Sequence, residues 1–189
     1  TILSKIFNND RGLLNTKIKI DQLIQQAFTA HKQGKFKEAK NFYREILKNN
    51  SKHPDVNHNL GLLEFSGNSP TVALPLLKNA IKYNPNKEQF WISYINALIK
   101  VNQLEKAELY SRKAIALKPE FVIAHFNLGA ILQVFNRLDE AEVCYKKAIK
   151  FKPDYAEAYN NLGVILKDLS KLNDAETNLK KAIKLKGII

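Results

Sequence analysis

The stretch Pro153–Lys186 reads PDYAEAYNNLGVILKDLSKLNDAETNLKKAIKLK, and its reading decides the fold. Moved back by 34 residues, it falls on Pro119–Lys152, PEFVIAHFNLGAILQVFNRLDEAEVCYKKAIKFK. Three further steps fall on weaker copies that begin near Pro85, His53 and Lys19. Each copy holds two apolar patterns of helical spacing joined by a short turn. The chain is therefore about five copies of one helix–turn–helix unit. A unit of this size cannot bury its apolar face alone, so the copies must stack.

The columns of the repeat give the stacking its physical basis. A small-residue column on the first helix runs Ala27, Gly61, Ile95, Gly129, Gly163, beside a column Gln26, Leu60, Tyr94, Leu128, Leu162. The second helix carries Ala39, Ala73, Ala107, Ala141, Ala175 and a column Tyr43, Leu77, Ser111, Tyr145, Leu179. A further column reads Ile46, Ala80, Ala114, Ala148, Ala182. Small residues let two helix backbones approach, and large residues three or four positions away fill the space beside the contact. Pro85, Pro119 and Pro153 end each unit, because proline cannot continue a helix and pushes the preceding residue out of helical geometry. Gly34, Gly67 and Asn136 mark where the chain reverses inside a unit.

With Trp91 in the aromatic slot that opens a unit, these columns resemble the tetratricopeptide repeat family over residues 20–189. That resemblance implies an all-α, right-handed solenoid with units at approximately 20–53, 54–87, 88–121, 122–155 and 156–189. Residues 1–19 fall outside the repeat and read as an N-terminal cap or linker. Ile2, Leu3, Ile6 and Phe7 suggest one amphipathic turn before the turn signal Asn8–Gly12. Gln26 and Ser51 make the first unit degenerate. Ile95, in a small-residue column, is expected to make its helix pair splay or shift. Pro70 after Ser69 is a normal helix start, whereas Pro75 should kink the same helix or delay its onset. The last helix, from about Asn173, offers Leu179, Ile183 and Leu185 for packing. It lacks a polar capping helix, from which either a frayed end or a continuing parent chain is expected.

The bulk numbers exclude some classes and leave others. Apolar residues make up 45% of the 189, enough for a continuous core. The formal net charge of +12 permits acidic partners without requiring them. Cys144 is the only cysteine, so no intramolecular disulfide forms, and a cytoplasmic setting fits. No apolar run is long enough to span a membrane. Phosphate loops, nucleophile elbows, zinc-binding helices and Cys/His clusters are missing, and no cofactor or metal is expected. His125 shares a column with Trp91 and Tyr159 and reads as a packing residue. His31 and His58 have no carboxylate or thiol at ligand spacing. The segment is expected to be non-catalytic.

The positive feature is the first-helix face opposite the core. One column there reads Gln25, Asn59, Ser93, Asn127, Asn161. Every member hydrogen-bonds and none is charged, so the column suits the backbone of an extended peptide without demanding particular side chains. Asn59, Asn127 and Asn161 resemble the asparagine ladder in the tetratricopeptide superhelix of O-linked N-acetylglucosamine transferases. Gln25 and Ser93 depart from it. Flanking columns supply apolar groups, among them Ile24, Phe28, Leu62, Phe65, Ile92, Phe126, Ala130 and Val164. A carboxylate clamp of the chaperone-tail type is rejected, because of Ile24, Phe28, Asn59, Gln89 and Ser93 only Asn59 fits one.

The basic charge sits on the second helices. Arg44, Lys78, Arg112, Lys146 and Lys180 form one stripe, and Lys48, Lys82, Ala116, Lys150 and Lys184 another. Both lie toward helix C-termini, where cations suit the macrodipole. Glu108, Glu142 and Glu176 precede Arg112, Lys146 and Lys180 by four residues, the favourable order for helix pairs. Nucleic-acid binding is not expected, since no stacking aromatics accompany the stripe. The expected function is a protein-interaction scaffold that takes a peptide-like segment along the first helices. The alternative rests on the stretch NPNKEQFWISYINALIK, Asn84–Lys100, which resembles arrays at the N-terminal side of large bacterial multidomain enzymes. There the array would be a substrate-recognition arm for a glycosyltransferase, sulfotransferase, methyltransferase or oxygenase domain.

Overall fold

The structure, a computed structural model, describes residues 19–187. The expected cap, with its amphipathic turn, lies outside the described residues apart from Lys19. Regular structure among the described residues is entirely helical, in ten helices. Helix α1 covers residues 19–32 and pairs with α2 (Phe36–Asn49). The following pairs are α3 (Pro54–Ser66) with α4 (Pro70–Tyr83), and α5 (Glu88–Lys100) with α6 (Leu104–Leu117). Next come α7 (Val122–Val134) with α8 (Leu138–Phe151), and α9 (Ala156–Asp168) with α10 (Leu172–Leu185).

One residue sets the turn inside every pair. Gly34, Asn68, Asn102, Asn136 and Ser170 all have positive φ, between 56° and 73°. They stand one repeat apart. After each, the next N–H returns to a carbonyl in the last turn of the first helix, as Arg137 does to Leu132 at 2.9 Å and Lys171 to Leu166 at 2.8 Å. This is the left-handed C-terminal cap, in which glycine or asparagine is least strained. The second turn is therefore made by Asn68 and not by Gly67, whose φ is −79°. Gly67 has a different constraint, since a Cβ there would lie 3.0 Å from Lys40 Nζ and 3.2 Å from the Leu63 carbonyl oxygen.

Pro75 does not delay the onset of α4. The helix begins at Pro70 and runs through Pro75 to Tyr83. Pro75 is exposed, so the carbonyl that loses its i+4 donor is on a solvent-facing stretch.

The chain divides into two compact units, one up to Phe90 and one from Trp91 onward, with α5 running across the division. In the first unit Ala27, Ala39, Tyr43, Ile46 and Val56 are fully buried, with Leu60 and Leu63 packed on them. The second unit is centred on Leu132, Tyr145, Ile165 and Leu166, with Leu128, Ala141, Leu162 and Ala175 around them. The small-residue column works as its spacing implies. A Cβ on Gly61 would lie 2.9 Å from Leu77, one on Gly129 2.8 Å from Tyr145, and one on Gly163 2.6 Å from Leu179. The residue sixteen positions further on thus fills the space that each glycine leaves. At Ile95 the arrangement is exchanged. Its counterpart at the same spacing is Ser111, and both are buried, at 1% and 0% exposure. By spacing, the volume added at Ile95 is offset at Ser111, which argues against a splayed pair.

Candidate functional site

In the second unit the ladder positions lie on α5, α7 and α9. Helices here are fixed by their apolar backs, so residues about 100° round each helix share one face. Asn127 is 8% exposed, and its Nδ2 donates to Asn96 Oδ1 at 3.0 Å. Asn96, the neighbouring α5 residue on that face, is exposed. Asn161 is half-buried. Its Oδ1 accepts from Asn160 Nδ2 at 3.4 Å, and its Nδ2 lies 3.4 Å from the Tyr145 hydroxyl. Tyr145 in turn donates to Gln133 Oε1 at 3.2 Å. Burial pushes the Tyr145 phenol up to about 12, so at neutral pH it keeps its proton and acts as a donor. Ser93, the weakest ladder candidate, is buried at 8% exposure, and Ile92 is half-buried.

The apolar flank is present beside these amides. Phe126 is half-buried and packs against Tyr145 at 5.8 Å and Tyr155 at 4.9 Å between ring centroids. Ala130 is half-buried, while Val164 and Val134 are exposed at 39% and 68%. A neutral face with hydrogen-bonding amides and partly open apolar positions results. It carries no charge at the amide column itself.

The first unit repeats the device by itself. Asn59 is half-buried, with His58 Nδ1 at 3.4 Å from its Oδ1. Tyr43 is hydrogen-bonded to Asn59 and also to His31, at 3.1 Å. Ile24, Phe28, Leu62 and Phe65 are half-buried around it, with Phe28 edge-on to Tyr43 at 6.1 Å, while Gln25 is exposed. Tyr43 and Asn59 are separated by the same sixteen residues as Tyr145 and Asn161. Sequence reading placed the two tyrosines in the core and missed that their hydroxyls steer the amides. The signal was there: tyrosine stands in a column otherwise filled by Leu77, Leu179 and Ser111.

The histidines serve structure. His125 is 2% exposed, bonds Nε2 to the Pro119 carbonyl oxygen at 2.8 Å, and stacks on Phe151. His58 is 7% exposed beside Phe90, with ring centroids 4.7 Å apart. Burial lowers the pKa of both, so both are neutral near pH 7. Among the described residues no group of His, Cys, Asp or Glu is placed to hold a metal ion, and no helix is long and apolar enough to cross a membrane.

The basic stripe has local partners. Glu108 pairs with Arg112, Glu142 with Lys146 and Glu176 with Lys180, each four residues apart. Arg137 and Lys171, which precede α8 and α10, add cross-helix bonds to Glu108 at 2.9 Å and to Glu142 at 2.7 Å. Arg44 reaches the buried Glu64 together with Lys40.

Helix pairs capped by a left-handed residue, with glycine against a bulky partner, define a helical-repeat protein. The TPR repeat profile matches residues 136–170, and the tetratricopeptide repeat profile matches residues 23–53 and 156–187. The fold agrees with solved structures. A crystal structure of MamA superposes with a TM-score of 0.79 at 21% identity, covering 89% of this chain and 92% of that one. YrrB, described as a TPR protein with an unusual peptide-binding site, gives 0.75 at 21%, covering 94% and 92%. Among curated proteins, the peroxisomal targeting signal receptor of Candida glabrata is 33% identical over 92 residues, which is 49% of this chain and 16% of the receptor. That of Kluyveromyces lactis is 35% identical over 75 residues, 40% of this chain and 13% of the receptor. The chain thus spans less than a fifth of these relatives. The matched residues are tetratricopeptide repeats, the described residues are all-α helix–turn–helix units, and repeats of this kind support a protein-interaction scaffold.

Proposed function

We propose that the first-helix face binds an extended peptide-like segment, with Asn127 and Asn161 as the principal backbone contacts in the second unit and Asn59 in the first. One observation supports this most directly. The amides of Asn127 and Asn161 are oriented by Asn96 and Tyr145 beside apolar positions at Phe126, Ala130 and Val164 that the fold does not fully cover. Held amides lose little freedom on binding, and apolar positions to either side give alternate side chains of a strand somewhere to go. Ile92 and Ser93 extend the face on α5. Ile24, Gln25, Phe28, Leu62 and Phe65 provide the corresponding surface around Asn59. A receptor for a targeting signal and a peptide-binding repeat protein among the similar proteins are in keeping with this reading. The segment itself is read as non-catalytic.

The test is a peptide selected on the protein from a random display library, then measured against Asn127→Ala/Asn161→Ala. A loss of at least about tenfold, equal to about 1.4 kcal/mol, with unchanged helicity is expected. Equal affinity in the double variant contradicts the ladder.

A further inference from the structure

A second opening lies on the other side of α7, between α6 and α8. It is a cleft of about 380 Å³, at the small end of the range for small-molecule sites. Its floor is Leu128 and Leu132 from α7, and its walls include Ile115, Val143 and Cys144. The position that opens it is Ala116. The same column of the second helices carries Lys48, Lys82, Lys150 and Lys184, side chains long enough to cover apolar surface. With a methyl group in that place, the walls at Ile115, Ala116 and Val143 stay partly open above the buried Leu128 and Leu132. Val143 on the wall is 54% exposed.

The rim is charged unevenly. Arg112 is held in place by Glu108 at 2.8 Å and Glu140 at 3.1 Å. Lys147 also lines the cleft, and among the described residues no carboxylate pairs with it. Glu140, the one acid on the rim, is shared between Arg112 and Arg137. An apolar hole beside an unpaired ammonium suits a body of low polarity that carries one negative charge. The volume limits that body to a ring or a short branched chain.

We propose that the cleft between α6 and α8 is a binding site for a small amphiphilic anion, an aromatic or short-chain carboxylate whose body lies against Ile115, Ala116 and Val143 and whose charge meets Lys147. This site is separate from the amide face and does not depend on it.

Cys144, the single thiol of the chain, lines the cleft and makes a direct reporter. Burial pushes it up to about 11, so it reacts slowly and its alkylation is easily followed by mass spectrometry. The probes are 3-phenylpropanoate and 3-methylbutanoate, with the uncharged 3-phenylpropanamide as control. Saturating carboxylate is expected to slow iodoacetamide labelling of Cys144 by about tenfold, and the amide to have much less effect. Ala116→Lys, which restores the residue found at the other four positions, should abolish protection. Lys147→Glu should weaken the carboxylates by about tenfold, while leaving the amide unchanged. Asn127→Ala/Asn161→Ala should leave protection intact, which separates this site from the peptide face. Thermal unfolding of each variant checks its fold. Protection that survives Ala116→Lys, or carboxylates that do no better than the amide, overturns the proposal. So does protection by an acidic phenylalanine-containing peptide but by neither carboxylate, which would make the cleft a protein-docking pocket.

Discussion

The two units solve the same packing problem with opposite chemistry. In the column of the first helix that reads Ala30, Glu64, Leu98, Leu132, Leu166, the second unit places leucines, and Leu132 and Leu166 are buried at 0% and 1% exposure. The first unit places Glu64 there, 4% exposed, and satisfies it with Lys40 and Arg44 from α2, at 3.0 and 2.5 Å. In the second unit the carboxylates have moved to the second helix. Glu142 there receives Lys146 at 2.6 Å and Lys171 at 2.7 Å. The repeat thus tolerates a buried charge in a leucine column when two cations come from the preceding helix. It also tolerates the reverse arrangement, in which the acid sits on the second helix and the column stays apolar. The difference teaches that fold is specified by the volume and satisfaction of each column, not by the polarity of any single member.

The largest effect should come from Glu64→Ala. It takes the carboxylate from Lys40 and the half-exposed Arg44 and empties a buried position, and is expected to lower the stability of the first unit by about 2 kcal/mol in urea unfolding. Glu64→Leu should lose far less, because it installs the second unit's residue. If both variants lose equally, the ion pairs and not the column volume hold α2 to α3.

A middle effect is expected at Glu142. Hydrogen bonds from Lys146 and then Lys171 hold its carboxyl below the ordinary carboxylate range. The folded state therefore binds this proton more weakly than the unfolded chain. Its contribution is complete above the ordinary carboxylate pKa and is lost as pH falls through the lowered value. Glu142→Gln should lower stability by about 1 kcal/mol at pH 7 and by almost nothing at strongly acidic pH. A loss that stays constant down the titration would mean that packing, not charge, is what Glu142 supplies.

The smallest effect compares the turns. Gly34 caps the first pair with φ of 73°, whereas Ser170 takes φ of 61° in the last. A serine in that region is strained, so Ser170→Gly should stabilise by up to about 1 kcal/mol even though glycine loosens the unfolded chain. A loss of stability would show that the Ser170 side chain makes a contact worth more than its strain.

Much of this was legible from the sequence, because stacking repeats its demands every unit. The helix pairs, the glycine and alanine columns and the i,i+4 ion pairs follow from spacing alone. What spacing could not give were partners drawn from a different helix. Glu64 looks like a misplaced charge until Lys40 and Arg44 are seen beside it. Ile95 looks like a clash until Ser111 is seen to be its counterpart. Gly67 drew attention as a glycine, although the left-handed position one residue later is occupied by Asn68. In the ladder, the column Gln25, Asn59, Ser93, Asn127, Asn161 was visible, but the tyrosine hydroxyls that orient two of its members were not. A hydroxyl at the end of a core ring has no periodic signature. The cleft at Ala116 was likewise visible only as one break in a lysine stripe.

The central claim is that held amides on the first helices receive a peptide backbone. It is tested most directly by the side-chain NH2 resonances of Asn127 and Asn161 in an amide-correlation NMR spectrum, titrated with a selected peptide. The account predicts that these two resonances shift together, with the backbone signals of Phe126 and Val164, and in proportion to occupancy. Binding that leaves both carboxamides unmoved while shifting residues elsewhere would contradict it.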